Sequence, residues 1–182
     1  MKTDDLQPTL REHPIRAAAP LYLDGDDWTA THAGSGSFNG SINATVPGDI
    51  ITDLQRAGKV PGPYFNCSWQ EPAFMSAWNE GTWAYSKRFL SPAGPAGPAG
   101  QDALLVFDGV LMGAVVELNG RRLTRTIDGN VSGATDQFFR YAFIVGDLLQ
   151  SAGKENSLTV SFGAGSPDAG GRFTFSDAID WC

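Results

Sequence analysis

The dipeptide Asn119-Gly120 constrains this chain more than any other two residues. Both residue types accept positive φ, which a two-residue type I′ hairpin turn needs at both central positions. The five residues before it alternate: Ala114, Val116 and Leu118 point one way, Val115 and Glu117 the other. Residues 121–124 begin the return strand. Upstream, residues 103–107 form a short apolar run without alternation, the pattern of a strand covered on both faces. Asp108-Gly109 then provides a turn.

From its start, the chain shows a polar stretch, residues 1–20, broken by Pro8, Pro14 and Pro20 and expected to be a poorly ordered tail. Leu21-Tyr22-Leu23 opens the fold, and Asp24-Gly25-Asp26-Asp27 reads as a solvated turn. A calcium loop there would need an acidic twelfth position, which is missing. Residues 28–33 and 41–46 read as strands, with Trp28 buried. Between residues 48 and 57 the period changes. Ile50, Ile51, Leu54 and Ala57 have helical spacing, Asp49 suits the first turn and Gly58 the stop.

Residues 82–90 alternate with Trp83, Tyr85 and Phe89 on one face, which places Trp83 and Tyr85 in the core. Trp69 and Trp78 suit either the core or a sugar-stacking surface. Three Pro-Ala-Gly triplets between Ser91 and Gln101 read as a solvated loop, and residues 131–135 as another. Residues 136–145 alternate with Phe139, Tyr141, Phe143 and Val145 on one face. Residues 147–152 suggest a helical turn closed by Gly153, and Leu158, Val160 and Phe162 mark a last strand over residues 157–162. Such a series implies an all-β fold, an antiparallel β-sandwich of jelly-roll type with short helices.

Net charge is −7, and no basic patch is visible, so nucleic acid is not an expected partner. No apolar run reaches the ~18 residues of a membrane span. The start of the chain lacks the apolar core of a secretory signal. Four sequons, at Asn39, Asn43, Asn66 and Asn130, point instead toward a glycosylating compartment, so localisation stays open. The two cysteines, Cys67 and Cys182, fit no zinc motif and read as free thiols. His13 and His32 read as surface or turn residues. No metal or other cofactor is expected.

Several segments together carry a family resemblance. Phe107-Asp108-Gly109, followed by Leu118-Asn119-Gly120, resembles the strand, bend and hairpin of the N-terminal, galactose-binding-like domain of glycoside hydrolase family 2, in particular of the β-mannosidases. The most specific segment is residues 46–65, with Val46-Pro47-Gly48, a short helix ending Ala57-Gly58, then Val60-Pro61-Gly62-Pro63-Tyr64. The following Asn66-Cys67-Ser68-Trp69 departs from the family's usual Gly-Asp-Asn-Glu. Trp78, Trp83-Ala84-Tyr85 and the run from Lys154 to Val160 also match. The resemblance implies a tail at residues 1–20, a sandwich at 21–165 and a segment at 166–182 leading toward a catalytic barrel. Near the end, Asp180-Trp181 resembles the Asp-Trp of the family's Trp-Asp-Trp motif, with Ile179 where the first Trp would stand. Joined to a barrel, Asp180 would accept from sugar hydroxyls and Trp181 would wall the pocket.

A retaining glycosidase needs two carboxyls ~5 Å apart. The acids here are scattered over turns, with no Ser/His/Asp context and no phosphate-cradling loop, so no catalytic residue is assigned. The family's glutamates lie on a barrel of ~250 residues. The chain by itself is therefore expected to be inactive, a non-catalytic part of an enzyme that hydrolyses terminal β-mannosides. The alternatives are a free-standing lectin-like module and a purely structural scaffold. A β-mannoside is the expected ligand only beside a barrel.

Overall fold

The computed structural model describes residues 20–34, 38–62, 81–92, 103–111, 113–127, 130–132, 138 and 140–163. Cys67, Trp69, Trp78, Phe139, Asp180, Trp181, Cys182 and the Pro-Ala-Gly triplets beyond Pro92 lie outside them. Ten strands and one α-helix are described: β1 (Gly25–Ala33), β2 (Gly40–Val46), α1 (Ile50–Arg56), β3 (Thr82–Leu90), β4 (Leu104–Phe107), β5 (Val115–Leu118), β6 (Arg121–Arg122), β7 (Arg125–Ile127), β8 (Asn130–Ser132), β9 (Tyr141–Ile144) and β10 (Glu155–Gly163). A 3₁₀ turn, Gly146–Leu148, precedes β10. Six strands form one antiparallel sheet in the order β2-β1-β3-β10-β5-β6. β4 pairs with β9, and β7 with β8, also antiparallel.

Register explains the core. Ile42 faces Ala30, Ala30 faces Tyr85, Tyr85 faces Val160 and Val160 faces Val116, one row running across five strands. The neighbouring row links Ala44 to Trp28 and Leu158 to Leu118. Against this inner face packs the β4–β9 pair through Tyr141 and Phe143. Phe107 meets Phe143 edge to face, with ring centroids 6.2 Å apart. The opposite face of the large sheet carries Ser41, Asn43, Thr29, Thr31, Ser86, Arg88, Thr159 and Glu117, as a wetted face should.

The hairpin forms as the Asn-Gly pair demands, with φ of 52° at Asn119 and 74° at Gly120. The helix also obeys its end signals. Asp49 caps it by accepting from the Thr52 amide at 2.9 Å. At the other end Gly58 has φ of 66°, its amide donates to Gln55 O, and Lys59 N donates to Leu54 O. That pair of bonds is a Schellman closure. Seven residues are too few for a helix to hold alone. Burial of Ile51 and Leu54 supplies the difference, about 1.5–3 kcal/mol per side chain.

Four expectations differ from what is seen. The Asp24-Gly25-Asp26-Asp27 stretch is not a free turn: β1 already starts at Gly25, and the extra residues form a bulge against β2. His32 is buried, 2% exposed, because it continues the inward alternation of Trp28 and Ala30 and packs on Trp83 at 4.7 Å. Val131 and Ser132 belong to β8 instead of a loop. Residues 104–107 are not covered on both faces, since Leu104 is 50% and Val106 46% exposed.

One polar hub joins three connections. Asn156 is 1% exposed, and its Oδ1 accepts from Asn119 Nδ2 at 2.9 Å and from Gln150 N at 2.8 Å. Its Nδ2 donates to Ser91 Oγ at 2.8 Å, and Ser91 Oγ donates to Gln150 O. Asn119 in turn donates to Leu148 O and accepts from Ser157 N. The hub thus ties the hairpin, the 3₁₀ turn and the end of β3 to the start of β10. Asn156→Ala removes the acceptor of the Gln150 amide and the partner of the buried Ser91 hydroxyl, at about 1–3 kcal/mol. Thermal unfolding should show a midpoint lower by roughly 3–10 °C. The neighbouring exposed Ser157→Ala serves as control, and an equal shift in both would refute the hub.

Candidate functional site

Among the described residues, an open concavity of about 430 Å³ lies where α1 meets the edge of the large sheet. Thr29, Ser41 and Asn43 supply the sheet side, and Asp53, Arg56, Ala57 and Lys59 the helix side. The i, i+3 spacing puts Asp53 and Arg56 on one flank of α1. Arg56 Nη1 donates to Asp53 Oδ1 at 2.8 Å and to Thr45 Oγ1 at 2.8 Å. Asp53 Oδ2 accepts from the Thr45 amide at 3.2 Å. Asp53 is 1% exposed, and burial pushes its carboxyl above the ordinary value of 3.8, against the opposing pull of Thr45 N–H and Arg56. Tyr85 is also shifted upward, first by burial and then by the charges of Asp53 and Asp49.

The pocket's polar groups are partly committed already, since Asp53 and Arg56 bond each other and Thr45. None of the described residues lining it is aromatic, so it offers no stacking platform for a sugar face. Trp83 and Tyr85 belong instead to the core side of β3, with Trp83 stacked on Phe38 at 5.7 Å and Tyr85 edge-on to Phe162 at 5.9 Å. Five of the described carboxylates are held by partners within the domain. Asp49 caps α1, Asp53 binds β2, Asp108 pairs with Arg140 at 2.6 Å and Glu155 with Arg88 at 3.4 Å. Asp27 accepts from Lys87 at 2.5 Å, which holds its carboxyl below the usual range. Lys87 itself stands on the inward side of β3, 7% exposed and 5.8 Å from the Trp28 ring centre.

Of the residues singled out from sequence, Asp180, Trp181 and Asn66 fall outside the described residues. Asn39 is exposed just before β2, and Asn43 lies on the wetted face of β2 inside the pocket. Asn130 opens β8. The sequence reading missed Asp53, Arg56 and Lys59 as neighbours of Asn43. The one available signal was the Asp53–Arg56 spacing, which is equally common on ordinary helix surfaces.

A family model for the glycosyl hydrolase 2 galactose-binding domain-like fold matches residues 28–169. The chain belongs to this family. The match contains the whole strand series from Trp28 onward, including both sides of the core. Among curated relatives, a beta-mannosidase of Rattus norvegicus is 29% identical over 146 residues, covering 80% of this chain and 14% of its own length. Beta-mannosidase B of Aspergillus clavatus is 33% identical over 118 residues, covering 64% of this chain and 12% of its own. The crystal structure of a beta-D-mannosidase from Dictyoglomus thermophilum superposes with a TM-score of 0.57 and 28% identity, over 78% of this chain and 15% of that one. The galactose-binding-like domain described here thus spans about one-seventh of these relatives.

The raised carboxyl of Asp53 gives a testable pH signature. Its folded form binds a proton more readily than the unfolded chain, so stability contributed by this group falls as pH rises from 3.8 through the raised value. Asp53→Asn removes that titration while keeping an acceptor for Thr45. Relative to the variant, the wild type should gain in melting temperature as pH drops from neutral into that window. A difference that stays flat with pH would show that Asp53 ionises in the fold as it does in water. Asp53→Ala, which orphans the Thr45 amide, should cost about 1–3 kcal/mol in denaturant unfolding at pH 7.

Proposed function

We propose that this domain is the N-terminal, non-catalytic sandwich of a β-mannosidase-like glycosidase that hydrolyses terminal β-mannosides. The observation that carries the proposal is the match of the family model to residues 28–169, together with relatives called beta-mannosidase that align with 80% and 64% of this chain over only 14% and 12% of their own length. The acid and nucleophile of the reaction then come from another part of a longer polypeptide.

Within this reading Asp180 and Trp181 form this domain's contribution to the sugar subsite. An ionised carboxylate accepts two vicinal hydroxyls, and an indole covers the apolar face of a pyranose. Neither residue has an acid–base role. A barrel beside them would hold these two residues in place, so the 182-residue chain alone should bind mannose weakly or not at all.

Two measurements test the proposal. The 182-residue chain should leave an aryl β-mannoside at the buffer rate. In the longer natural polypeptide, Asp180→Ala should lower kcat/KM by roughly 10- to 150-fold, the equivalent of ~1.5–3 kcal/mol for a charged hydrogen bond. An effect within about twofold removes Asp180 from the subsite. Tight mannose binding by the isolated chain would favour the lectin alternative.

A further inference from the structure

The chain has two Asn-Gly pairs, Asn39-Gly40 and Asn119-Gly120, and the fold treats them differently. Asparagine followed by glycine is chemically unstable. Glycine has no side chain to shield its amide nitrogen, so that nitrogen can reach the asparagine Cγ. At Asn119 the side chain is fastened through both of its polar atoms. Nδ2 donates to Leu148 O at 2.7 Å and to Asn156 Oδ1 at 2.9 Å, and Oδ1 accepts from Ser157 N at 2.9 Å. The backbone is held as well, since Asn119 N donates to Ser157 O at 2.8 Å. Swinging Cγ toward the Gly120 nitrogen breaks the side-chain bonds. Asn39, by contrast, is exposed just before β2, and its side chain has no hydrogen-bond partner among the described residues.

We propose that Asn39 is a deamidation site of the folded domain, and that the Asn156 hub keeps Asn119 in its amide form. In the reaction the Gly40 nitrogen bonds to Asn39 Cγ, its proton passes to solvent, and Nδ2 leaves as ammonia. The cyclic succinimide then takes up one water and opens at either carbonyl, giving aspartate or isoaspartate. Water is the only co-reactant. Each event adds one negative charge and, at this position, removes the acceptor of the Asn39-Gly40-Ser41 sequon. N-glycosylation and deamidation of Asn39 therefore exclude each other. At Asn119 the product is disfavoured too. A carboxylate would set acceptors against Leu148 O and Asn156 Oδ1, where the amide presents two donors. Turning the Asn156 amide over to compensate would strand the Gln150 N–H. The hub is closed only in the native state, so its protection is lost when this end of the domain opens.

The test holds the 182-residue chain, made without N-glycans, in mildly alkaline buffer and follows both pairs by peptide mapping that separates asparagine, aspartate and isoaspartate. In the folded chain Asn39 should convert first, with Asn119 slower by roughly tenfold or more, because its hydrogen bonds must open before the ring can close. In guanidinium chloride the two rates should come within about threefold, since the fold no longer distinguishes them. Equal rates in the folded chain overturn the proposal, and so does an Asn119 that stays slow in denaturant. This comparison needs no variant. Asn156→Ala should raise the rate at Asn119 in the folded chain and leave that at Asn39 unchanged. An unmoved Asn119 rate in the folded variant takes the protective role away from the hub. Asn119→Asp, the product itself, should lower the melting temperature by roughly 3–10 °C, while Asn39→Asp stays within about 2 °C of the parent. Equal shifts in the two aspartate variants would overturn the argument from the product.

Discussion

Everything else in the domain hangs on the pairing of β3 with β10. Nine residues of each strand face one another, from Leu90 opposite Glu155 to Thr82 opposite Gly163. These partners come from distant parts of the chain, so closing the pair is entropically demanding and forces a long intervening segment to fold back. Once closed, it supplies both templates: β1 and β2 add on the β3 side, β5 and β6 on the β10 side. Asn156 fastens one end of this pair, where the chain leaves β3 at Ser91 and enters β10. The core rows run across it without interruption except at Lys87, whose ammonium reaches out to Asp27 while its stem stays among apolar neighbours.

Local signals in the sequence were read correctly where they act locally. The span of β3, the Asn119-Gly120 turn, and the start and stop of α1 depend on alternation, positive φ and capping, all written within a few residues. Partner identity is not local. That β3 pairs with both β1 and β10, or that β4 leaves β5 to pair with β9, is fixed by which apolar faces meet, and no short window contains it. The misreadings have the same origin. His32 looks polar in isolation, yet it occupies an inward register position and is hydrogen-bonded there to the Phe38 carbonyl. Asp26 and Asp27 look like a turn, and the bulge in β1 accommodates them inside a strand.

The candidate site was less legible than the fold. A pocket made from one flank of a two-turn helix and three alternating strand positions draws on residues 29, 41, 43, 53, 56 and 59, none of which is distinctive by type. The proposed sugar contacts, Asp180 and Trp181, were found only through family resemblance. Under the proposed function their chemistry depends on a surface outside this domain. The apolar run at residues 103–107 misled in another way: lack of alternation suggested a strand covered on both faces, but Leu104 and Val106 are exposed and only one face of β4 meets the core.

The grip of Asp53 on the Thr45 amide reaches beyond the pocket. β2 is the terminal strand of the six, so its free rim is where a foreign strand could add. Helix α1 lies against that strand, and the buried carboxylate occupies an amide at the point where the β1 register slips. The helix therefore acts as a guard rail. A change that frays its seven residues exposes a ready template for another copy, and self-association, more than lost binding, would be its first visible symptom.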